Sequence, residues 1–100
     1  MKALLIVDMQ NDFMPLGALG VAGGNEIIPI VNHLIPQFSL IIASKDWHPI
    51  DHVSFAKTPH KKEGEVIDVK GRRQVLWPLH CIQHSHGAEI VQELHQETIL

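Results

Sequence analysis

The feature that most constrains the fold is a continuous aliphatic run, Ala3–Val7, which ends at a carboxylate, Asp8. Apolar residues that are continuous rather than alternating are typical of a strand buried on both faces, as in a parallel sheet. Because sites in parallel α/β sheets lie at the carboxyl ends of strands, Asp8 is a candidate general base or acid. Its alternative role is to cap the following loop through bonds to backbone N–H groups.

A helix and a second strand are predicted next. Residues 40–43 are a second apolar run, which ends near another acid, Asp46. Residues 26–38 have apolar side chains at helical spacing, with Asn25 as the candidate N-cap. The predicted apolar stripe of that helix consists of Ile27, Ile30, Val31, Leu34 and Ile35.

The later part of the chain adds a second helix, at residues 87–96 with Ser85 as its cap, and the start of a third strand at residues 98–100. Between them, residues 47–80 have little periodicity, which is typical of a functional or disordered segment. Strands that alternate with helices predict an α/β fold with a parallel sheet flanked by helices.

Composition narrows the class of protein. One hundred residues with 45% hydrophobic content suit one small domain with a real core. The formal net charge of −3, without a block of like charges, argues against nucleic-acid and membrane binding. The single cysteine, Cys81, indicates a reducing, cytoplasmic compartment. No signal peptide or membrane-spanning segment is recognised.

Several potential metal ligands follow the second strand. Asp46 and His48 are two residues apart, so in an extended segment their side chains point to the same side. His52 follows shortly after, and His80 lies further along the chain. Such a mixed oxygen and nitrogen set suits Zn²⁺, Fe²⁺ or Mn²⁺ and leaves coordination positions open. The alternative is that Asp46 caps a turn and the histidines are surface residues.

Other residues invite weaker hypotheses. Asp12 is predicted to act in a turn or as a hydrogen-bonding residue, and Cys81 to be a buried structural thiol. Three aromatic residues, Phe13, Trp47 and Trp77, could line a pocket for a flat substrate. The chain has no G-x-S-x-G, phosphate-loop or G-x-G-x-x-G motif. A phosphoacceptor receiver domain is disfavoured because a methionine, not a second acid, follows Asp8.

Three motifs together resemble the N-terminal part of the nicotinamidase/pyrazinamidase family, in the isochorismatase-like hydrolase superfamily. They are "VDMQNDF", "ASKDWHPIDHVSF" and "WPLHC", and the match is collinear from Lys2 to about Leu94. The resemblance implies a three-layer α/β/α fold, of which residues 1–100 form the N-terminal part of a single domain. It also implies hydrolysis of nicotinamide, and of pyrazinamide-type amides, in NAD salvage. Oligomeric state, including a homo-oligomer, is left open.

The resemblance also implies a divalent metal, usually zinc. Asp46, His48 and His80 match the family's metal ligands, and His52 matches a position that contributes in some members. In the family, the metal anchors the pyridine nitrogen of the substrate.

Asp8 matches the aspartate of the family's catalytic triad, which accepts a proton. Phe13 and Trp77 match aromatic residues that line the pyridine pocket. Cys81 matches a cysteine that is not the nucleophile. The family's lysine and nucleophilic cysteine lie beyond this chain, so we expect no turnover from it alone. The alternatives are another amidase of the superfamily and a non-catalytic metal-binding module.

Overall fold

The computed structural model describes residues 2–56 and 61–100. The sequence has six basic residues between positions 57 and 73, interrupted by acids, which predict a solvated loop surface; of these, Lys57 lies outside the described residues. Helices and strands occur along the chain in the order β1 (Ala3–Val7), α1 (Ile27–Leu34), β2 (Leu40–Ser44), β3 (Val66–Val69) and β4 (Arg72–Val75). Short 3₁₀ turns lie at Asn11–Phe13, Gly24–Glu26, Ile35–Gln37 and His86–Ala88.

Strands β1 and β2 form a parallel pair, joined by the crossover that contains α1. The register pairs Ala3 with Leu40 and Val7 with Ser44, so both strands end at the same edge. The predicted α/β class with a parallel sheet is therefore confirmed. The register also explains the site, because Asp8 is the first residue after β1 and Asp46 is the second residue after β2.

The two faces of this sheet differ in burial. Ile6 of β1 is 4% exposed, whereas its neighbours Leu5 and Val7 are 61% and 59% exposed. Together with Ile42, Leu5 and Val7 form a surface that we call the open sheet face. Within the described residues the core packs against one face of β1 only, so the prediction that β1 is buried on both faces is wrong for this part of the structure. The buried core consists of Ile6, Met9, Ile28, Ile35, Ile41, Val91 and Leu94.

The helix is shorter than its pattern predicted. It covers Ile27–Leu34, with a 3₁₀ turn at each end, and Asn25 lies within the preceding turn rather than capping the helix. Ile27 and Ile30 of the predicted apolar stripe are exposed, while Ile28 is buried. Ile35 is buried in the core and Val31 packs against it, so the predicted stripe is correct at these two positions and wrong at Ile27 and Ile30.

Residues 87–96 do not form the predicted helix. Ser85 does cap, but the capped element is the 3₁₀ turn His86–Ala88. Beyond it the backbone is extended and pairs with the chain after β1, through a bridge of Gln10 to Ile90 and a bond from the Val91 N–H to the Met9 carbonyl. Because these groups bond across the fold, they are not available for a helical ladder.

The predicted third strand at residues 98–100 is also not formed, although the Leu100 N–H donates to the Ile41 carbonyl of β2. In contrast, the segment expected to lack periodic structure contains the antiparallel hairpin of β3 and β4. Its turn has Lys70 and Gly71 at positive φ, as two-residue hairpin turns of this kind require. Among the described residues, no helix has the length and apolarity needed to cross a membrane.

Candidate functional site

Three predicted metal ligands lie together at the carboxyl edge of the sheet. Oδ1 of Asp46 is 3.3 Å from Nε2 of His48, and Oδ2 of Asp46 is 3.2 Å from Nε2 of His80. One ligand atom from each residue can be chosen so that all lie within 4.8 Å of one another. His80 is buried and the other two residues are half-buried. The cluster is thus compact enough for a single cation.

The hydrogen bonding of His80 supports a cation at this position. Its Nδ1 lies 2.8 Å from the carbonyl oxygen of Pro78, which can only accept, so Nδ1 carries the hydrogen. In the neutral ring, Nε2 is then a lone-pair acceptor facing a carboxylate oxygen of Asp46. Because Nε2 of His80 and Oδ2 of Asp46 are both acceptors and lie 3.2 Å apart, a proton or a metal ion is required between them. A backbone-oriented histidine is also the usual form of a metal ligand.

His48 presents its Nε2 to the cluster, 3.3 Å from Oδ1 of Asp46. Its other ring nitrogen, Nδ1, is buried and has no hydrogen-bond partner among the residues that the structure describes. The donor set of one carboxylate and two imidazoles therefore fits a divalent transition metal.

His52 lies beside this cluster and is not one of its three members. Its ring centroid is 4.9 Å from that of His48. Its Nδ1 accepts the backbone N–H of Ser54 at 3.1 Å and is 2.7 Å from the Ser54 hydroxyl. These bonds fix the orientation of the His52 ring beside His48.

The cluster opens into a cavity of about 390 Å³, which we call the metal pocket. Both aromatic residues predicted from the resemblance line it, and the ring of Phe13 is 5.8 Å from that of His80. Trp47 does not line it; its ring lies against His84, with Nζ of Lys45 5.3 Å from the ring centroid. The lining residues are Phe13, Leu19, Asp46, His48, His52, Ser54, Gln74, Trp77 and His80.

Asp8 lies outside the metal pocket. It follows β1 with a φ of 58° and lines a second cavity, of about 290 Å³, which also contains Phe13. Phe13 therefore lies between the two cavities. Burial first, and the nearby Asp46 charge second, raise the pKa of the Asp8 carboxyl above its ordinary value of 3.8. Within the described parts of the chain its carboxylate accepts no hydrogen bond, so the alternative loop-capping role is not observed.

Cys81 is fully buried and has a positive φ of 48°. Burial is the main cause that raises the pKa of its thiol to about 12. The negative charges of Asp46, Asp12 and Asp8 raise it further, in that order. A thiol in this state is a poor nucleophile, because the thiolate is the reactive form. Its backbone N–H donates to Asp12 Oδ2 at 2.7 Å, so the hydrogen-bonding role predicted for Asp12 is confirmed.

Sequence reasoning missed three residues of the site: Gln10, Ser54 and Gln74. Ser54 and Gln74 line the metal pocket, and Gln74 belongs to the unpredicted strand β4. Gln10 is 0% exposed. A polar residue three positions after the end of β1 was the available signal, but its partners are far away in sequence.

Comparison with known proteins identifies the family. Residues 2–99 match the isochorismatase domain model. The chain is 41% identical to a nicotinamidase of Escherichia coli, over 98% of this chain and 48% of that protein. It is 45% identical to a nicotinamidase of Acinetobacter baylyi, over 88% of this chain and 42% of that protein. The chain thus spans about half the length of these curated relatives.

Solved structures agree with the sequence comparison. The nicotinamidase/pyrazinamidase of Acinetobacter baumanii superposes with a TM-score of 0.91 at 44% identity, covering 98% of this chain and 48% of that one. The pyrazinamidase of Pyrococcus horikoshii, solved in complex with zinc, gives 0.72 at 42% identity, covering 97% and 48%. The expected fold is confirmed, and the chain belongs to the isochorismatase family.

Proposed function

We propose that residues 1–100 are the N-terminal part of a single nicotinamidase domain, which hydrolyses nicotinamide to nicotinate and ammonia. The observation that carries this proposal is the cluster of Asp46, His48 and His80 in one cavity with Phe13 and Trp77. A polar cluster at one end of an aromatic-lined cavity suits a flat ring with one basic nitrogen. Relatives named nicotinamidase, and neighbours solved with nicotinaldehyde or nicotinate, support this substrate class.

Asp46, His48 and His80 would hold the divalent cation, with His52 beside them. When bound, the cation supplies a Lewis-acid position for the ring nitrogen of the substrate. Zinc is favoured by the zinc-bound pyrazinamidase neighbour, although Fe²⁺ and Mn²⁺ suit the same donors. Phe13 and Trp77 would orient the ring, so that its amide points away from the cluster.

Asp8 would be the proton acceptor of the reaction. Its raised pKa makes it a stronger base than an ordinary carboxylate, and it is separated from the metal pocket by Phe13. In the proposed hydrolysis, a thiolate adds to the amide carbon and the C–N bond breaks. Ammonia departs with a proton relayed through Asp8, and water then releases nicotinate. Cys81 does not supply this thiolate, so the nucleophile and its lysine partner are proposed to lie beyond residue 100.

Two other functions have some support. The first is a non-catalytic metal-binding module. It is compatible with the three potential ligands lying together while the only thiol of the chain, Cys81, is buried and therefore not placed as a nucleophile. Another amidase of the superfamily would share the fold but place a different substrate in the metal pocket. A cytoplasmic location and a place in NAD salvage belong to the nicotinamidase proposal only.

The metal centre is tested by elemental analysis after loading with zinc. We expect one bound Zn²⁺ in the wild-type chain and near-complete loss in His80→Ala. The matched control is His86→Ala, because His86 is an exposed histidine outside the cluster. Equal zinc in His80→Ala and wild type would refute the assigned ligands.

The activity is tested by ammonia release from nicotinamide. We expect none from the 100-residue chain and clear turnover from the longer gene product, abolished by Asp8→Ala. Turnover by the chain alone that survives Cys81→Ala would show that no further cysteine is needed. A longer product that binds zinc but hydrolyses no amide would favour the metal-binding module.

A further inference from the structure

Gln10 connects the end of β1 to the metal-ligand segment after β2. Its Nε2 donates to the carbonyl of Asp46 at 2.7 Å and to the carbonyl of Ala88 at 2.8 Å. Its Oε1 accepts the backbone N–H of Asp46 at 2.9 Å. The amide thus uses both donors and its acceptor while it is fully buried. It bonds the backbone of Asp46 as a neighbouring strand would.

This arrangement determines the direction of the Asp46 side chain. When both the N–H and the C=O of one residue are held, its peptide planes cannot rotate, and the Cα–Cβ bond is fixed in space. The last strand-to-strand bond at this edge runs from the Asp8 N–H to the Ser44 carbonyl. Beyond that bond, the side chain of Gln10 continues the pairing that the backbone has stopped making.

Asp12 performs the corresponding task for the other two ligands. Its Oδ2 accepts the N–H of Cys81, which directly follows His80. The carbonyl of Cys81 in turn accepts the N–H of His48 at 2.9 Å. One carboxylate therefore holds the N–H of Cys81, the residue whose carbonyl bonds the His48 segment. The positive φ of Cys81 costs free energy, and a charge-assisted bond to its N–H offsets that cost.

Gly87 makes room for this carboxylate. A Cβ placed on Gly87 would overlap both carboxylate oxygens of Asp12. The φ of Gly87 is not in the left-handed region, so the glycine is needed for space rather than for backbone conformation. The position of Asp12 is thus enforced from two sides, by the Cys81 N–H and by the Gly87 backbone.

From these contacts we propose that Gln10 and Asp12 are positioning residues of the metal centre: Gln10 orients Asp46, and Asp12 holds His80 and His48 in mutual register. The inference rests on the proposed function, since it concerns the same metal site. It gives Gln10 and Asp12 of the "VDMQNDF" motif a role in addition to the role proposed for Asp8. Outer residues that orient metal ligands typically change metal affinity 10- to 100-fold when replaced.

The first test uses Co²⁺ alone as the probe and measures its affinity and visible absorption spectrum. Gln10→Met keeps the side-chain length but removes all three hydrogen bonds. We expect Co²⁺ affinity to fall at least about tenfold, with an altered spectrum at saturation. The matched control is Asn32→Leu, because Asn32 also bonds backbone groups on both its atoms, at Glu93 and His95, far from the ligands. That control should keep the wild-type affinity and spectrum.

The second test compares two variants of Asp12, both of which remove the charge. Asp12→Asn keeps an oxygen that accepts the Cys81 N–H, whereas Asp12→Leu has a similar size and no acceptor. We expect the Asn variant to stay close to wild type in Co²⁺ affinity and the Leu variant to lose about tenfold or more. If Gln10→Met does not fold, as judged by circular dichroism, Gln10→Glu replaces it, because a carboxylate keeps the acceptor for the Asp46 N–H but cannot donate to the carbonyls of Asp46 and Ala88; it should also lower Co²⁺ affinity.

The outcomes separate this inference from the proposed function. If wild type binds Co²⁺ through His80, and the Gln10 and Asp12 variants match its affinity and spectrum, the positioning role is overturned while the metal centre stands. If wild type binds no stoichiometric Co²⁺, or His80→Ala binds it equally, the metal centre is overturned and the positioning role with it. The positioning role is established if Gln10→Met and Asp12→Leu both show reduced Co²⁺ affinity and a shifted spectrum. The control variants Asn32→Leu and Asp12→Asn must show neither change.

Discussion

The metal pocket lies beyond the carboxyl edge of the β1–β2 sheet, whereas the open sheet face lies on that sheet, and the two regions are built differently. At the metal pocket, the buried groups Gln10 and His80 are held by hydrogen bonds to backbone carbonyls. On the open sheet face, Leu5 and Val7 are apolar and more than half exposed. An apolar strand surface normally packs against another layer. The comparison teaches that the polar cluster is held by bonds from distant parts of the chain, whereas within the described residues the sheet is covered on one face only.

Asp8 lies at the boundary between the two regions. It shares a cavity with Val7 of the open sheet face and is close enough to Asp46 to have its pKa raised. A carboxylate in that position has a partly apolar environment and a like charge nearby, and both favour its protonated form. This agrees with the proposed roles, in which the metal pocket binds the cation and Asp8, in the neighbouring cavity, accepts the proton.

The largest expected effect is on the reactivity of Cys81, which lies beside the metal ligand His80. Its measurement tests whether this part of the molecule is closed to reagents in solution. At pH 8, a thiol with a pKa of about 12 is roughly one part in ten thousand ionised, against about a quarter for an ordinary cysteine. We expect native Cys81 to react with Ellman's reagent at least about a hundredfold more slowly than in the urea-unfolded chain. The unfolded chain is the control. Similar rates in both would show that this side of the molecule is open.

The next prediction compares the loss of stability caused by a substitution on each face of β1. Ile6→Ala should lower the free energy of unfolding by about 2–5 kcal/mol, because it leaves a cavity in the core. Leu5→Ala should cost no more than about 0.5 kcal/mol, since Leu5 is already exposed. Urea unfolding measures both. A large cost at Leu5 would mean that the open sheet face is covered in solution, for example by a second copy, which sedimentation would detect.

The smallest effect is the pH dependence that Asp8 confers. Because the folded-state pKa of Asp8 is raised, its protonated form stabilises the fold below pH 3.8, and that contribution is lost as the pH rises through the folded-state pKa. Asp8→Asn stays neutral, so it should gain stability relative to wild type between pH 4 and 7. We expect less than about 1 kcal/mol, because the side chain is partly exposed to solvent.

Urea unfolding at both pH values, with chelator present, measures that difference. Glu97→Gln is the matched control, because Glu97 is an exposed acid. An advantage of Asp8→Asn that is constant with pH would contradict the raised pKa. It would also weaken the proposed role of Asp8 as the proton acceptor.

Local pattern was sufficient for some parts of the fold. The two apolar runs became β1 and β2, because a continuous aliphatic segment has few stable alternatives to a sheet strand. Asp46, His48 and His80 meet because two of them follow one strand end and the third lies in a recognisable motif. The hairpin of β3 and β4 was missed, since a lysine-glycine turn is a weaker signal than asparagine-glycine.

Local pattern failed where distant contacts decide. Residues 87–96 have helical periodicity, but Val91 enters the core from an extended backbone that pairs with Met9. Burial of apolar side chains and pairing with an existing chain outweighed a weak helical preference that begins at a glycine. The helix shows the same effect in part, because Ile27 and Ile30 of its apolar stripe are exposed, while Ile28, which lies outside that stripe, is buried.

The sequence by itself determined the chemical groups of this protein: an acid after each of two parallel strands, and two histidines suited to a cation. Only the tertiary structure decided how those groups are held. The amide of Gln10 reaches Asp46 across 36 positions of sequence, and Asp12 reaches Cys81 across 69. Bonds between a side chain and a distant backbone group leave no periodic trace, because they depend on where the chain returns rather than on its neighbours.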